Sequence, residues 1–255
     1  MVFVMDVGNM NIKCGLFKNK ALSASWRVSA DRIRTADEYG MLIMQFFQYG
    51  QYDMDEVEGI IISSVIPSLN YTLEHMCQMY FKKEALFVGP GIKTGMNIRY
   101  ENPKDLGPDR LATAIGAYDI YKLPCIVVDF GTATTFSCVD AGGDFLGGAI
   151  CPGVKISADA LVSQTARLPK IELFKPPRVI ARNTVGGMQS GIIFGYAGMV
   201  DTMIERMREE MGESEAKAVA TGGMANLISS ETKNIEAVES RLSLFGLRIL
   251  YERNR

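Results

Sequence analysis

Histidine is nearly missing from this chain: His75 is the single one among 255 residues. A site that needs two imidazoles, such as a histidine-built zinc centre, is therefore excluded. His75 itself falls in a stretch of helical spacing, residues 73–81, where a packing or surface role is expected. Cysteine is sparse in another sense. Cys14, Cys77, Cys125, Cys138 and Cys151 are odd in number and no two stand at C-x-x-C spacing, so neither a disulfide framework nor a thiolate zinc cluster is expected. A reducing cytoplasm is the setting that fits. An excess of positive charge is lacking too. With a formal net charge of -2 the chain has no broad cationic field, so nucleic acid and anionic membrane surfaces are not expected partners. No apolar run approaches the roughly 18–20 residues of a membrane span, and the first residues lack the basic-then-apolar order of an export signal.

What is present suits a soluble globular protein. Hydrophobic residues make up 47% and charged residues 22%, and the length allows two domains with separate cores. Residues 2–5 form a short apolar run ending in Asp6. Gly8, Asn9 and Asn11 follow, then a second run at 12–17 and, after Lys18, Asn19 and Lys20, a third at 21–28. This reads as a three-stranded meander. Met41, Leu42, Met44 and Phe47 then mark a helix from about residue 39. A buried-strand run at 59–65, a helix over 69–81, a short strand at 85–88 and a helix over 111–121 complete the half.

The same order restarts at Cys125. Residues 126–128 lead into Asp129, Gly131, Thr132 and Thr134, then a strand at 135–139 and a turn at 140–143. Asp6 matches Asp129, Gly8 matches Gly131, Asn9 matches Thr132 and Asn11 matches Thr134, all at an offset of 129 − 6 = 123 residues. Helices at 154–161 and 187–207, a strand at 216–220 and a last helix from Leu242 follow. The pattern implies an internal duplication, α/β in class, with a mixed five-stranded sheet flanked by helices in each lobe. The expected lobes are residues 1–116 and 117–255.

Each aspartate-x-glycine turn joins the first two strands of its sheet. Gly8 and Gly131 let a phosphate approach the backbone, turn N–H groups can donate to its oxygens, and Lys13 adds a point charge. A carboxylate beside phosphate is repelled unless a cation intervenes, so Asp6 and Asp129 imply metal ions. Mg²⁺ needs only one or two carboxylates when phosphate supplies further oxygens. A base for the acceptor hydroxyl is also wanted, and Asp109 in Gly107-Pro108-Asp109-Arg110 is the candidate, although an aspartate before a helix also suits an N-cap. Arg110 could pair with a substrate carboxylate or lie on the surface. Asn97, Arg99 and Tyr100 stand in a Gly- and Pro-containing loop, residues 89–108, long enough to wall an acceptor site. Asn183-Thr184 opens a helix, where it could bind an anion or merely cap.

Together these segments resemble the type III pantothenate kinases, members of the acetate and sugar kinase/heat-shock protein 70/actin superfamily, over nearly the whole chain. The resemblance rests on Asp6-Val7-Gly8-Asn9-Met10-Asn11, Gly89-Pro90-Gly91-Ile92-Lys93-Thr94-Gly95, Gly107-Pro108-Asp109-Arg110 and Asp129-Phe130-Gly131-Thr132-Ala133-Thr134. Gly147-Gly148-Ala149-Ile150, Pro152-Gly153, Asn183-Thr184 and Thr221-Gly222-Gly223 extend it. It implies two ribonuclease H-like lobes, ATP-dependent phosphorylation of pantothenate at the start of coenzyme A synthesis, and a homodimer. By that likeness Asp6, Val7, Gly8, Asn9, Met10, Asn11, Ile12, Lys13 and Thr132 would serve ATP, with Asp6 on the Mg²⁺ side. Tyr100, Gly107, Pro108, Arg110 and Thr184 would contact pantothenate, Asp109 would be the base, and Asp129 would hold K⁺ or NH₄⁺. Two residues depart from the family pattern: Met10 stands where threonine is usual, removing a hydroxyl donor, and Pro108 replaces a small residue. The aspartate turns alone would equally suit a sugar kinase or a nucleotide-switched assembly subunit. The Asp109-Arg110 pair favours a kinase, because a switch needs no acceptor base.

Overall fold

All six residues of β1 (Val2–Val7) are buried, which requires partners on both edges and cover on both faces. In the computed structural model, which describes all 255 residues, β1 pairs antiparallel with β2 (Asn11–Lys18) and parallel with β4 (Gly59–Ser64). With β3 (Ala21–Ser29) and β5 (Ala85–Phe87) the sheet order is β3-β2-β1-β4-β5. The helix α1 (Ala36–Tyr49) starts earlier than its apolar spacing suggests. Thr35 caps it, accepting from Glu38 N at 3.3 Å while its own N–H donates to Glu38 Oε2 at 2.7 Å, a reciprocal pair that satisfies two otherwise orphaned donors. The helix α2 (Pro67–Met76) runs on as a π-helical turn, Cys77–Phe81, that stops at Lys82 in the left-handed region. Phe3 stacks on Phe81 and meets Phe47 edge-on at 5.6 Å, tying strand, α1 and π-turn into one core. Truncating Phe47 to alanine would cost about 3–5 kcal/mol.

The second sheet repeats this arrangement. Its order is β10-β9-β6-β7-β8, with β6 (Cys125–Phe130) central, antiparallel to β7 (Ala133–Val139) and parallel to β9 (Lys217–Gly222). Two of its strands escape a reading of the sequence. β8 (Phe145–Pro152) contains Gly147 and Gly148 at φ 142° and 156°, so two of its positions have no side chain to show alternation. β10 (Ala237–Val238) is only two residues long. Helices α4 (Val154–Ser163), α5 (Thr184–Met211) and α6 (Ala225–Ser229) accompany this sheet.

By packing, the chain divides into two units that are not the consecutive stretches 1–116 and 117–255. The first comprises Met1–Met96, Glu101–Asp119 and Leu242–Arg255; the second comprises Asn97–Tyr100 and Ile120–Arg241. The C-terminal helix α7 (Leu242–Asn254) belongs to the first unit, where it packs on β1, β4 and β2. It also crosses α3 (Pro108–Tyr121) at backbone contact. A Cβ on Gly246 would lie 1.8 Å from the Ala112 carbonyl oxygen, and one on Gly116 would lie 2.2 Å from that of Leu242. No methyl fits at either place, so these two glycines set how closely α3 approaches α7, and α3 carries Asp109 and Arg110.

Candidate active site

In the first unit the register of three strands builds the site. Asp6 stands opposite Lys13 on β2 and opposite Ser63 on β4, so the three side chains share a face of the sheet. Lys13 Nζ lies 3.7 Å from Asp6 Oδ2, a partly buried ion pair. Residues 8–11 form the turn between the paired Val7 and Ile12, closed by Gly8 N donating to the Asn11 carbonyl at 3.0 Å. Asn9, Met10 and Asn11 are exposed at its tip, with Met10 52% accessible. Ser63 Oγ is fully buried and has no hydrogen-bond partner in the protein. Its signal in the sequence was slight: two serines, Ser63 and Ser64, ending an otherwise apolar run.

Asp109 does not occupy the N-cap position. The helix α3 begins at Pro108, so Gly107 holds the N-cap position and its carbonyl accepts from Leu111 N at 3.1 Å. Proline suits the first helical residue, where its missing N–H would have had no partner. Asp109 sits in the first turn with Oδ1 accepting from Arg110 N at 2.9 Å. Glycine at 107 leaves this carboxylate its place, because a Cβ there would stand 2.6 Å from that same oxygen and displace it. Burial pushes the Asp109 carboxyl above the ordinary aspartate range, and the Asp6 charge adds to the rise. The Arg110 and Asp109 backbone N–H groups and the Arg110 guanidinium pull the other way without cancelling it. Arg110 is only 7% accessible, so it is not a surface arginine.

The second unit has a related turn with different surroundings. Asp129 faces Thr135 on β7 and Thr221 on β9, both neutral hydroxyls. Its carboxylate lies over two glycines. A Cβ on Gly222 would be 2.5 Å from Asp129 Oδ1, and one on Gly131 would be 3.5 Å away. Gly222 also has φ 97°, a backbone only glycine adopts without strain. This gives the Thr221-Gly222-Gly223 segment its place: Gly222 makes room for the acid. Thr134 and Thr221 are fully buried, and neither Oγ1 has a hydrogen-bond partner in the protein. Gly153 closes against the turn, since a Cβ there would lie 2.0 Å from the Thr132 carbonyl oxygen.

One expectation from the repeat needs correction. In the ladder only residues 131–133 separate the paired Phe130 and Thr134, one fewer than in the first turn. Gly131 N donates to the Ala133 carbonyl as Gly8 N donates to that of Asn11. The counterpart of Asn11 is therefore Ala133, not Thr134, and Lys13 corresponds to Thr135. Of the other residues singled out, Tyr100 lies in the second unit against Phe145, with ring centroids 5.8 Å apart. Asn183 caps α5, its Oδ1 accepting from Gly186 N at 2.7 Å, which leaves Thr184 exposed at the first helical position. The first unit thus gathers Asp6, Lys13, Asp109 and Arg110, and the second carries Tyr100, Asp129, Thr132 and Thr184.

No group of three or more His, Cys, Asp or Glu side chains is placed to hold a metal. A divalent ion at Asp6 would take one carboxylate, with phosphate oxygens and water filling its remaining positions, which the donor set at Asp6 permits. All five cysteines are free, and burial pushes the Cys14, Cys77 and Cys125 thiols up to about 12, which makes them inert as nucleophiles at neutral pH. No helix is long and apolar enough to cross a membrane.

A family model described as type III pantothenate kinase matches residues 2–206. Among solved structures, a Campylobacter jejuni chain described as a Baf family transcriptional activator aligns at 18% identity and TM-score 0.60, over 98% of this chain and 97% of that one. An inorganic polyphosphate/ATP-glucomannokinase from Arthrobacter sp. aligns at 12% identity and TM-score 0.52 over 99% of both chains. The ROK hexokinase of Thermus thermophilus aligns at 10% identity and TM-score 0.51, over 98% of this chain and 97% of that one. At such identities these structures speak for the fold alone: two mixed five-stranded sheets flanked by helices, consistent with two ribonuclease H-like lobes.

Proposed function

The chain belongs to the type III pantothenate kinase family, and from that premise we propose how its residues divide the reaction. The activity is the ATP-dependent phosphorylation of pantothenate to 4'-phosphopantothenate, the first step of coenzyme A biosynthesis. In this reading the first turn, Asp6, Val7, Gly8, Asn9, Met10, Asn11 and Ile12, together with Lys13 and Thr132, binds ATP. Asp6 takes Mg²⁺ through the phosphates, and Asp129 takes a monovalent cation, K⁺ or NH₄⁺. Tyr100, Gly107, Pro108, Asp109, Arg110 and Thr184 bind pantothenate. The protein works as a homodimer in the cytoplasm.

The observation that carries this reading is the state of Asp109. Its carboxyl is held above the ordinary range by burial and by the Asp6 charge, so its carboxylate is a stronger base than an exposed one. As the pantothenate hydroxyl oxygen attacks the γ-phosphorus, the bond from that phosphorus to the bridging oxygen of ADP breaks and Asp109 takes the hydroxyl proton. Arg110, buried one residue on, suits the pantothenate carboxylate, because a desolvated guanidinium binds a carboxylate through two parallel hydrogen bonds. Lys13 places a positive charge beside Asp6 on the phosphate side. Mg²⁺, when bound, offsets the charge gathering on the phosphate oxygens.

Pantothenate-dependent ADP release, measured with Mg²⁺ and with and without K⁺ or NH₄⁺, tests the scheme. Release with pantothenate no higher than with ATP alone would overturn it. Asp109→Asn should lower turnover about 10²- to 10⁴-fold while leaving the fold intact. A fully active variant would move the base elsewhere.

A further inference from the structure

Residues Asn97–Tyr100 leave the packing of their chain neighbours and join the second unit. From residue 88 to residue 107 the only helical element is the short 3-10 turn Pro103–Asp105, so this excursion cannot rely on regular structure to hold it. Its backbone is tied at one place. Arg99 N donates to the Phe145 carbonyl at 2.9 Å, Phe145 N donates to that of Asn97 at 2.8 Å, and Ile98 bridges Phe145 in parallel.

The side chains add a second tie. Asp144 Oδ2 accepts from Arg99 Nη2 at 2.7 Å, from Arg99 Nε at 3.0 Å and from Asn97 Nδ2 at 3.1 Å. Asp140 Oδ2 lies 3.5 Å from Arg99 Nη2, and Asp140 Oδ1 accepts from Asp144 N at 2.9 Å, so the turn between β7 and β8 presents both acids to one guanidinium. An isolated exposed ion pair would be worth little. Here three donors converge on one oxygen, and the acceptor is itself held by the neighbouring turn, so the group acts as a network. Hydrogen bonds from Arg99 and Asn97 accordingly hold the Asp144 carboxyl below its ordinary range. Tyr100 is the next residue along the chain, and its ring rests on the fully buried Phe145.

We infer that Arg99 and Asp144 are positioning residues for the acceptor: their clamp fixes the excursion on the β7–β8 turn and so sets where Tyr100 meets pantothenate. The inference rests on the reading that Tyr100 contacts this substrate. Neither Arg99 nor Asp144 touches the reacting atoms. Releasing the clamp removes the side-chain tie next to Tyr100, so substrate binding weakens while the phosphoryl-transfer residues of the first unit stay in place.

Three variants, Arg99→Ala, Asp144→Asn and Tyr100→Ala, separate the possibilities in steady-state kinetics with pantothenate and ATP varied in turn. Asp144→Asn keeps the side-chain shape, and thermal unfolding of each variant checks that it folds. The clamp predicts a pantothenate KM raised about five- to ten-fold in Arg99→Ala and in Asp144→Asn, with kcat and the ATP KM changed less than about two-fold. The double variant should be less impaired than the product of the two single effects, because the Arg99–Asp144 interaction is lost in each. Arg99→Lys, which keeps the charge but loses the two-pronged geometry, should fall between. If Tyr100→Ala raises the pantothenate KM and Asp144→Asn does not, the clamp is wrong while the site reading stands. If Tyr100→Ala also leaves that KM unchanged, the assignment of Tyr100 to the acceptor falls and takes the inference with it. An equal loss in kcat and in both KM values would mean a general structural role and would overturn the positioning claim.

Discussion

Asp6 and Asp129 are the next-to-last residues of the central strands of two sheets with matching strand order, and the residues across the ladder from them differ. Asp6 meets a lysine and a buried serine; Asp129 meets two threonines and lies over two glycines. The turn after Asp6 has one more residue than the turn after Asp129. A duplicated frame thus presents its acid in two electrostatic settings. Beside Asp6 stands the Lys13 ammonium at 3.7 Å, a positive charge that favours the approach of a polyanion. Across the ladder from Asp129 stand hydroxyls in place of a lysine, and the proposal of different ions at the two turns draws on that contrast.

The largest effect should come from removing the two acids separately. Asp6→Asn is expected to lower kcat about 10²- to 10³-fold and to weaken the Mg²⁺ dependence. Asp129→Asn should instead abolish the response to K⁺ or NH₄⁺. Parallel Mg²⁺ and K⁺ titrations of the two variants check this, and identical behaviour would erase the contrast.

The glycine beneath Asp129 offers the next test. Gly222 and Ser64 occupy equivalent ladder positions, opposite Phe130 and Val7. Gly222→Ala forces a methyl into the space of the Asp129 carboxylate and the Phe130 backbone at positive φ, so it should cost about 1–3 kcal/mol in urea unfolding. Ser64→Ala should cost about 1 kcal/mol or less, since it loses only the hydrogen bonds to Ile66. Similar losses would mean that the two turns pack alike.

The residue opposite each acid can also be exchanged. Lys13→Met should raise the ATP KM about ten-fold, because the phosphates then lack a charge-assisted hydrogen bond from the ammonium. Thr135→Lys would put an ammonium opposite Asp129 and remove activation by K⁺ with little change in the ATP KM. Steady-state kinetics of both variants, with ATP and K⁺ varied in turn, reads the exchange.

The smallest effect concerns stability. The folded-state pKa of Asp109 is raised, so the folded protein holds this proton more tightly than the unfolded chain does. Its contribution to stability is full below the ordinary aspartate pKa and is lost as pH rises through the raised value. Asp109→Asn should therefore unfold at a slightly higher temperature than the parent at pH 7.5, and the difference should close as the pH falls towards about 4. Calorimetry at several pH values reads it. A gap that does not depend on pH would place the strain elsewhere.

Much of this could be read from residues in order. Runs such as residues 2–5 and 126–128 announce buried strands, the 123-residue repeat of aspartate-x-glycine announces two similar lobes, and Gly107-Pro108-Asp109-Arg110 marks the proposed acceptor segment. These signals are local, arising from side-chain polarity and from backbone geometry that only certain residues adopt. Reading failed where the local signal was blank. Glycines hid β8, and the reciprocal cap of Thr35 with Glu38 set the start of α1 ahead of the apolar spacing that begins near residue 39.

By itself, then, the sequence determined the class of the fold, the two acids at the strand ends and the family. Only the tertiary structure decided how those acids differ, because that depends on register: which residue of a neighbouring strand stands opposite, and how many residues the turn between them holds. Only folding shows that Gly222 is shaped by Asp129 and that Arg110 is buried. The place of α7 in the first unit, against the helix that bears Asp109, is settled the same way. Such contacts join residues far apart in the chain, as Ala112 and Gly246 are at 246 − 112 = 134 positions, and close packing without room for one methyl group is a property of the meeting surfaces rather than of either segment.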